Sequence, residues 1–399
     1  MANLIWGKVY YKEHFAGFLR EEPGERTSFT YDASYLNARH PAIAHTLPLQ
    51  PEPHISQSGL HPFFDNLVAE GWLEEAQTRL LGKRAVSRFE LLLAFGQDCA
   101  GAVSVIDPEP SAISQALLDM DDPKQVAVLA GRASLSGVQP KFAAIEKDGK
   151  FYPARGGDLS TYIAKFSSQK HADLIENEYI TMAATKAFLP DDQIAEMKMA
   201  PIEGFSEPAL LIKRFDREGA GGRIHFEEFN QLLGRPSRAK YDGAHKDMSD
   251  FIRMTPACLG AENYKLYLRI LTGLLLGNTD MHLKNFAMFH TNAGLRLTPV
   301  YDVVAAVIYD YKTIALELGG ARDFPIGNLK PENLVRLGEE FQLSKAAVKM
   351  AVDHLLKYRE DAKDAIGEAK AGNSSIKVKI IDRMEKRWNG TFALIGRKL

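Results

Sequence analysis

Cysteine is scarce in this chain. Its 399 residues include two, Cys99 and Cys258, too few for a disulfide framework or a thiolate zinc site. Neither sign of charge is in excess, since 49 Lys and Arg face 51 Asp and Glu. A dedicated nucleic-acid binder would carry a basic surplus, so any contact with DNA is expected through a partner. Long apolar runs are also missing: the longest, around ILTGLLLG at 270–277, is far short of a membrane span. MANLIWGKVYYKEHF has no basic stretch ahead of an apolar core, so no signal peptide is expected. NGT at 389–391 matches the glycosylation pattern by coincidence in such a chain. Internal repeats and low-complexity tracts are absent as well. What remains points to a cytoplasmic globular protein of two or three domains, with no membrane partner.

What is present falls into three stretches. LIWGKVYY, HFAGFLRE and TSFTYDASYL alternate like strands, while HPFFDNLVAEGWLEEAQTRLLG and SRFELLLAFGQD have helical spacing. GAVSVI returns as a strand, which makes residues 1–108 a mixed α/β subdomain. A Pro-, Asp- and Ser-rich linker is expected over 109–125. From 126 to 217 the chain reads as a β-rich lobe with one helix, LIENEYITMAATKAFL at 174–189, and a hairpin turn at Asp148-Gly149. That helix is expected to bury Ile175, Tyr179, Met182, Ala183 and Ala187. Over 218–399 helices dominate, including the apolar GAENYKLYLRILTGLLLG. The expected fold is therefore α+β and two-lobed, with a cleft suited to a small molecule.

Behind that apolar helix comes GNTDMHLKNF, which packs Asp280, His282, Lys284 and Asn285 into six positions. Asp-x-x-x-x-Asn is the skeleton of a kinase catalytic loop: a carboxylate to accept the proton of the attacking hydroxyl, and an amide oxygen to help hold magnesium. Polar capping of a helix end explains the same residues without chemistry. A second acid, Asp302, follows a strand in LTPVYDVVAA, where a kinase carries its main magnesium ligand; a turn-forming Asp is the plainer alternative.

In TYIAKFSS, Lys165 interrupts an apolar strand, which is costly unless an anion compensates. Its expected glutamate partner on the next helix is Glu178, with Glu176 as the alternative. SLSGVQPKF at 134–142 sits where a phosphate-covering loop belongs, with Gly137, Val138, Gln139 and Lys141, yet it fits neither standard glycine-rich pattern. LLIKRFDR offers a strand between lobes whose backbone near Lys213 would meet adenine while Phe215 packs on the ring; a strand end with solvated charges is the competing view.

Together these segments resemble the HipA family, the serine/threonine-kinase toxins of bacterial toxin–antitoxin systems. SYLNARHPAIAHTLPLQ, PFFDNLVAEG and GAVSVI resemble its N-terminal subdomain, and SLSGVQPKF, YIAKF, ENEY, LIKRFDR, NTDMHLKNF and TPVYDVVAA follow in the family's order. The resemblance implies a protein-kinase-like fold, with ATP and Mg2+ as cofactors. It makes Asp280 the catalytic base and Asn285 and Asp302 the metal ligands, while His282 is expected to support the catalytic loop by hydrogen-bonding backbone or a nearby acid. Lys165 becomes the phosphate-binding lysine, SGVQPK the nucleotide loop and Lys213 to Phe215 the hinge, although some relatives carry an acid where this chain has Lys213. It further implies inactivation by autophosphorylation of Ser134 or Ser136, since the added charge would repel ATP. Implied partners are an antitoxin with a DNA-binding helix-turn-helix, operator DNA mainly through that antitoxin, and a translation-related protein substrate such as an aminoacyl-tRNA synthetase. Competing functions are a co-repressor without catalysis, a small-molecule phosphotransferase, and a metal-dependent hydrolase built on Asp280, His282 and Asp302.

Overall fold

The structure, a computed structural model, describes residues 4–82, 85–110, 139–155, 158–168, 170–219 and 221–399. The chain forms two compact units: Met1–Lys170 with Met199–Ala239, and His171–Lys198 with Lys240–Leu399. This division cuts across the sequence boundaries, because the helix Leu174–Phe188 groups with the C-terminal residues while 199–239 stays with the sheets.

Unit one contains two five-stranded sheets. The first runs β4-β3-β2-β1-β5, from β1 (Trp6–Tyr11), β2 (His14–Glu22), β3 (Arg26–Tyr31), β4 (His54–Ser56) and β5 (Val103–Ile106). Alternation, broken by a register shift between Val9 and Tyr10, drives its assembly: Val9, Tyr11, Leu19, Phe29 and Tyr31 all contribute to one buried side. There they form one core with Phe63, Phe64, Leu91 and Leu92. HPFFDNLVAEGWLEEAQTRLLG forms two short helices, Pro62–Asp65 and Trp72–Leu80, where one was expected. Gly71, at φ 59°, turns the chain between them.

The second sheet runs β7-β6-β8-β10-β9, from β6 (Lys141–Lys147), β7 (Lys150–Pro153), β8 (Tyr162–Lys165), β9 (Met197–Ala200) and β10 (Ala209–Lys213). Asp148 and Gly149, at φ 51° and 75°, make the β6–β7 turn with both central residues left-handed. One face is a core of Phe142, Ala144, Phe151, Phe166 and Leu211. Register places Lys141, Lys165 and Leu210 side by side on the other face.

Unit two is mostly helical. Gly260–Leu276 is buried nearly all round, consistent with its apolar sequence. A hairpin of Ala287–Thr291 and Gly294–Leu297 follows it, and then helices Pro331–Glu340, Lys345–Lys357, Arg359–Glu368 and Ser374–Gly390. The helix Leu174–Phe188 buries polar residues that apolar spacing did not flag: Asn177, Glu178, Thr181 and Thr185, while Tyr179, Ala183 and Ala187 are only half-buried. Among the described residues, no helix is long and apolar enough to cross a membrane.

Candidate active site

The helix Gly260–Leu276 ends at Gly277, which adopts φ 87° and donates to Gly273 O at 2.9 Å. Asn278 N–H donates to the same carbonyl at 2.8 Å, completing the cap from backbone alone. Asp280 and Asn285 are therefore not consumed in capping. Asn278 Oδ1 accepts the Asp280 N–H at 3.1 Å, and Thr279 donates to Tyr311 O at 2.8 Å. Met281 and Leu283 are buried and anchor the loop, while the Asp280 side chain reaches solvent. Three further bonds lock its form: Asn285 Oδ1 accepts the His282 N–H at 3.0 Å, the Asn285 N–H donates to His282 O at 3.0 Å, and His282 Nδ1 accepts the Lys284 N–H at 3.3 Å.

Asn285 Nδ2 donates to Asp302 Oδ2 at 3.0 Å. The amide and the carboxylate, far apart in sequence, thus share one site. Asp302 lies outside any strand, at φ 60°, a left-handed conformation that Asp tolerates better than most residues. Its segment is held on both sides. Tyr301 Oη donates to Lys284 O at 2.7 Å, and the buried Asn177 accepts the Ala305 N–H at 3.0 Å. Desolvation, and then the Asp302 carboxylate, push the Asp280 pKa up to about 6, against the pull of the Tyr241 hydroxyl and Lys240. Because the side chain is open to solvent, crowding on one side rather than full enclosure causes the desolvation.

In unit one, Lys165 is buried in β8, directly opposite Lys141 on β6, with Gln139 just before that strand. Strand β10 stops at Lys213, so Phe215 lies beyond it, edge-on to Phe226 at 5.2 Å. Lys213 is exposed. The charge run after it is not solvated, contrary to the plainer sequence reading. Arg214 and Arg217 both bond Asp216 at 2.7 Å, and Arg217 also bonds Asp98 at 2.8 Å. Glu178, fully buried on the helix Leu174–Phe188, belongs to unit two. Gly137, Val138, Ser134 and Ser136 lie outside the described residues.

The HipA N-terminal domain model matches residues 7–106, and the HipA-like C-terminal domain model matches residues 133–368. The second alone spans more than half of the chain. The chain belongs to the HipA family. It is 30% identical over 347 residues to the Sinorhizobium fredii protein Y4dM, covering 81% of this chain and 80% of that one. To the serine/threonine-protein kinase toxin HipA of Shewanella oneidensis it is 29% identical, with 67% of each chain covered. The fold is similar to HipA in a Shewanella oneidensis structure of HipA, HipB and operator DNA, with a TM-score of 0.78 at 22% identity over 98% of this chain and 99% of that one.

This HipA-family chain is thus a kinase, with an α+β kinase-like fold. Sequence reasoning missed several residues that shape its loop. Tyr241 donates to Asp280 Oδ1 at 3.1 Å, and Lys240 O accepts the Leu283 N–H at 3.1 Å. Asn177 and Asn278 hold backbone on either side of the site. Asn177 and Asn278 lie within the ENEY and NTDMHLKNF segments but drew no role there, and Lys240 and Tyr241 belong to no motif; each of the four matters through a fold contact.

Proposed function

We propose that this chain transfers the γ-phosphoryl group of ATP to a serine or threonine hydroxyl of a protein, as the toxin of a toxin–antitoxin pair. The observation that carries this reading is the Asp280 loop with Asn285 hydrogen-bonded to Asp302 at 3.0 Å. Asp280, with a pKa near 6, is mostly ionised at neutral pH yet basic enough to take the hydroxyl proton as the new oxygen–phosphorus bond forms and ADP leaves. Asn285 and Asp302 would hold magnesium. The donors suit it, since both offer hard oxygens and Asn285 Oδ1 keeps a lone pair beyond its bond to His282. A divalent ion there supplies charge neutralisation to the phosphate oxygens. Lys165, with Lys141 beside it and Glu178 as its ion-pair partner, would bind the phosphates, and the segment from Lys213 to Phe215 the adenine. His282 would act by shaping the loop, because its ring and backbone are both engaged there.

The finer reading follows the family resemblance. Ser134 or Ser136 would take the inactivating phosphate, an antitoxin with a DNA-binding domain would silence the kinase on operator DNA, and the substrate would belong to the translation apparatus. The test is direct: the chain and its Asp280→Gln variant are incubated with labelled ATP, Mg2+ and a cell lysate. Label should enter a discrete protein only with the wild type. Equal labelling by both chains would remove Asp280 from the chemistry.

A further inference from the structure

The loop carrying Asp280 is short, and a carboxylate at its tip is free to swing about its side-chain bonds unless something holds it. Among the described residues, the one hydrogen-bond donor to the Asp280 carboxyl is Tyr241, from a separate segment of unit two, at 3.1 Å from Oδ1. We propose that Tyr241 is a positioning residue of the phosphoryl-transfer reaction, fixing Asp280 through Oδ1 so that Oδ2 is left to receive the substrate proton. This inference rests on Asp280 being the base.

Three observations separate Tyr241 from an ordinary surface tyrosine. Its ring stands edge-on to the His282 ring, with centroids 5.0 Å apart and planes at 87°. That packing holds the phenol although the residue is 48% exposed. The backbone beside it is tied to the same loop, through the Leu283 N–H on Lys240 O at 3.1 Å. His282 in turn is held by Lys284 N–H and Asn285 Oδ1. One rigid chain of contacts therefore runs from the metal-holding Asn285, through His282 and Tyr241, to the carboxylate of Asp280. The other charged groups acting on that carboxylate are Asp302, which repels it, and Lys240, which attracts it. Both act on Asp280 through charge alone, whereas Tyr241 also donates a hydrogen bond, so directional control falls to the phenol.

The experiment compares steady-state phosphoryl transfer from ATP by the full wild-type chain with Tyr241→Phe, Tyr241→Leu and Asp280→Asn. Tyr241→Phe keeps the ring on His282 and removes the hydroxyl alone. It should lower kcat about tenfold, with KM for ATP and the melting temperature unchanged. Tyr241→Leu, which also loses the ring, should fall at least as far. Wild-type kcat in Tyr241→Phe overturns the proposal, whatever Tyr241→Leu does, and so does a loss confined to KM. Asp280→Asn separates the two levels. If it abolishes transfer while Tyr241→Phe is silent, the base stands and only the positioning role fails; if it retains transfer, the underlying reading fails and takes this inference with it.

Discussion

At Asp280 two demands conflict. In the proposed role of base the carboxylate must stay ionised to accept a proton, yet burial and Asp302 both favour its neutral form, raising its pKa from 3.8 to about 6. Catalysis should therefore show an acid limb: kcat/KM rises as pH increases through about 6, because the active form is the ionised one. A flat profile between pH 5 and 8 would contradict this. The same shift has a stability sign. The unfolded chain ionises Asp280 first, so folding loses stability as pH rises between the unfolded and folded values. Asp280→Asn removes that cost. Solvent access at the side chain reduces the effect, so urea denaturation at pH 7.5 should show a gain of under about 1 kcal/mol, vanishing near pH 4. The variant would be inactive and slightly more stable, as expected where a site holds like charges together.

The elements around the loop matter for how they stop. The helix Gly260–Leu276 ends in a left-handed residue, and a side chain at Gly277 would meet Val307 Cγ1 at 2.5 Å and Arg387 Nη2 at 2.7 Å. Arg387 is itself committed, donating to Leu275 O at 2.8 Å. Gly277→Ala should therefore carry both the conformational penalty and a clash, costing about 1–3 kcal/mol. Because Asp280 lies three residues on, turnover should fall beyond what lost stability explains, measured well below the variant's melting temperature. Full activity in a folded Gly277→Ala protein would show that the loop does not depend on this stop. The helix Leu174–Phe188 acts on the other side, where Asn177 grips Ala305 and so fixes the approach to Asp302.

For the molecule, the largest cluster of buried charge among the described residues lies away from the Asp280 loop. Arg214, Arg217 and Arg223 converge with Asp98 and Asp216 inside unit one, joining its N-terminal sheet module to the strand β10. The site suits cations, because the carbonyls of Gln97, Cys99 and Gly101, beyond the helix Arg88–Phe95, all accept from these guanidiniums. Three arginines against two aspartates leave the cluster cation-rich, and burial followed by the charge of Arg214 brings Arg217 down to about 10. Removing a carboxylate should be severe, since it strands buried guanidiniums. Asp98→Ala is expected to cost about 3 kcal/mol. Hydrogen exchange should rise in unit one around residues 96–106 and 209–218, while the loop 277–285 keeps its protection. Uniform loss across the chain would mean that this cluster is not local to unit one.

The chain's letters by themselves determined the alternation of β1 to β3, the turn at Asp148-Gly149, the apolar helix before Gly277 and the presence of Asp280 and Asn285 behind it. These are periodic or local signals, and local backbone preference carries them. The family, too, was legible, because its motifs occur in order along the chain. Only the tertiary structure decided that Asn285 touches Asp302, that Tyr241 reaches Asp280, and that the RFDR charges are buried rather than solvated. Each of these joins residues distant in sequence, and neither propensity nor spacing records such a meeting; packing does. The pKa of Asp280 belongs to the same class, since it arises from the company the carboxylate keeps rather than from the residue itself.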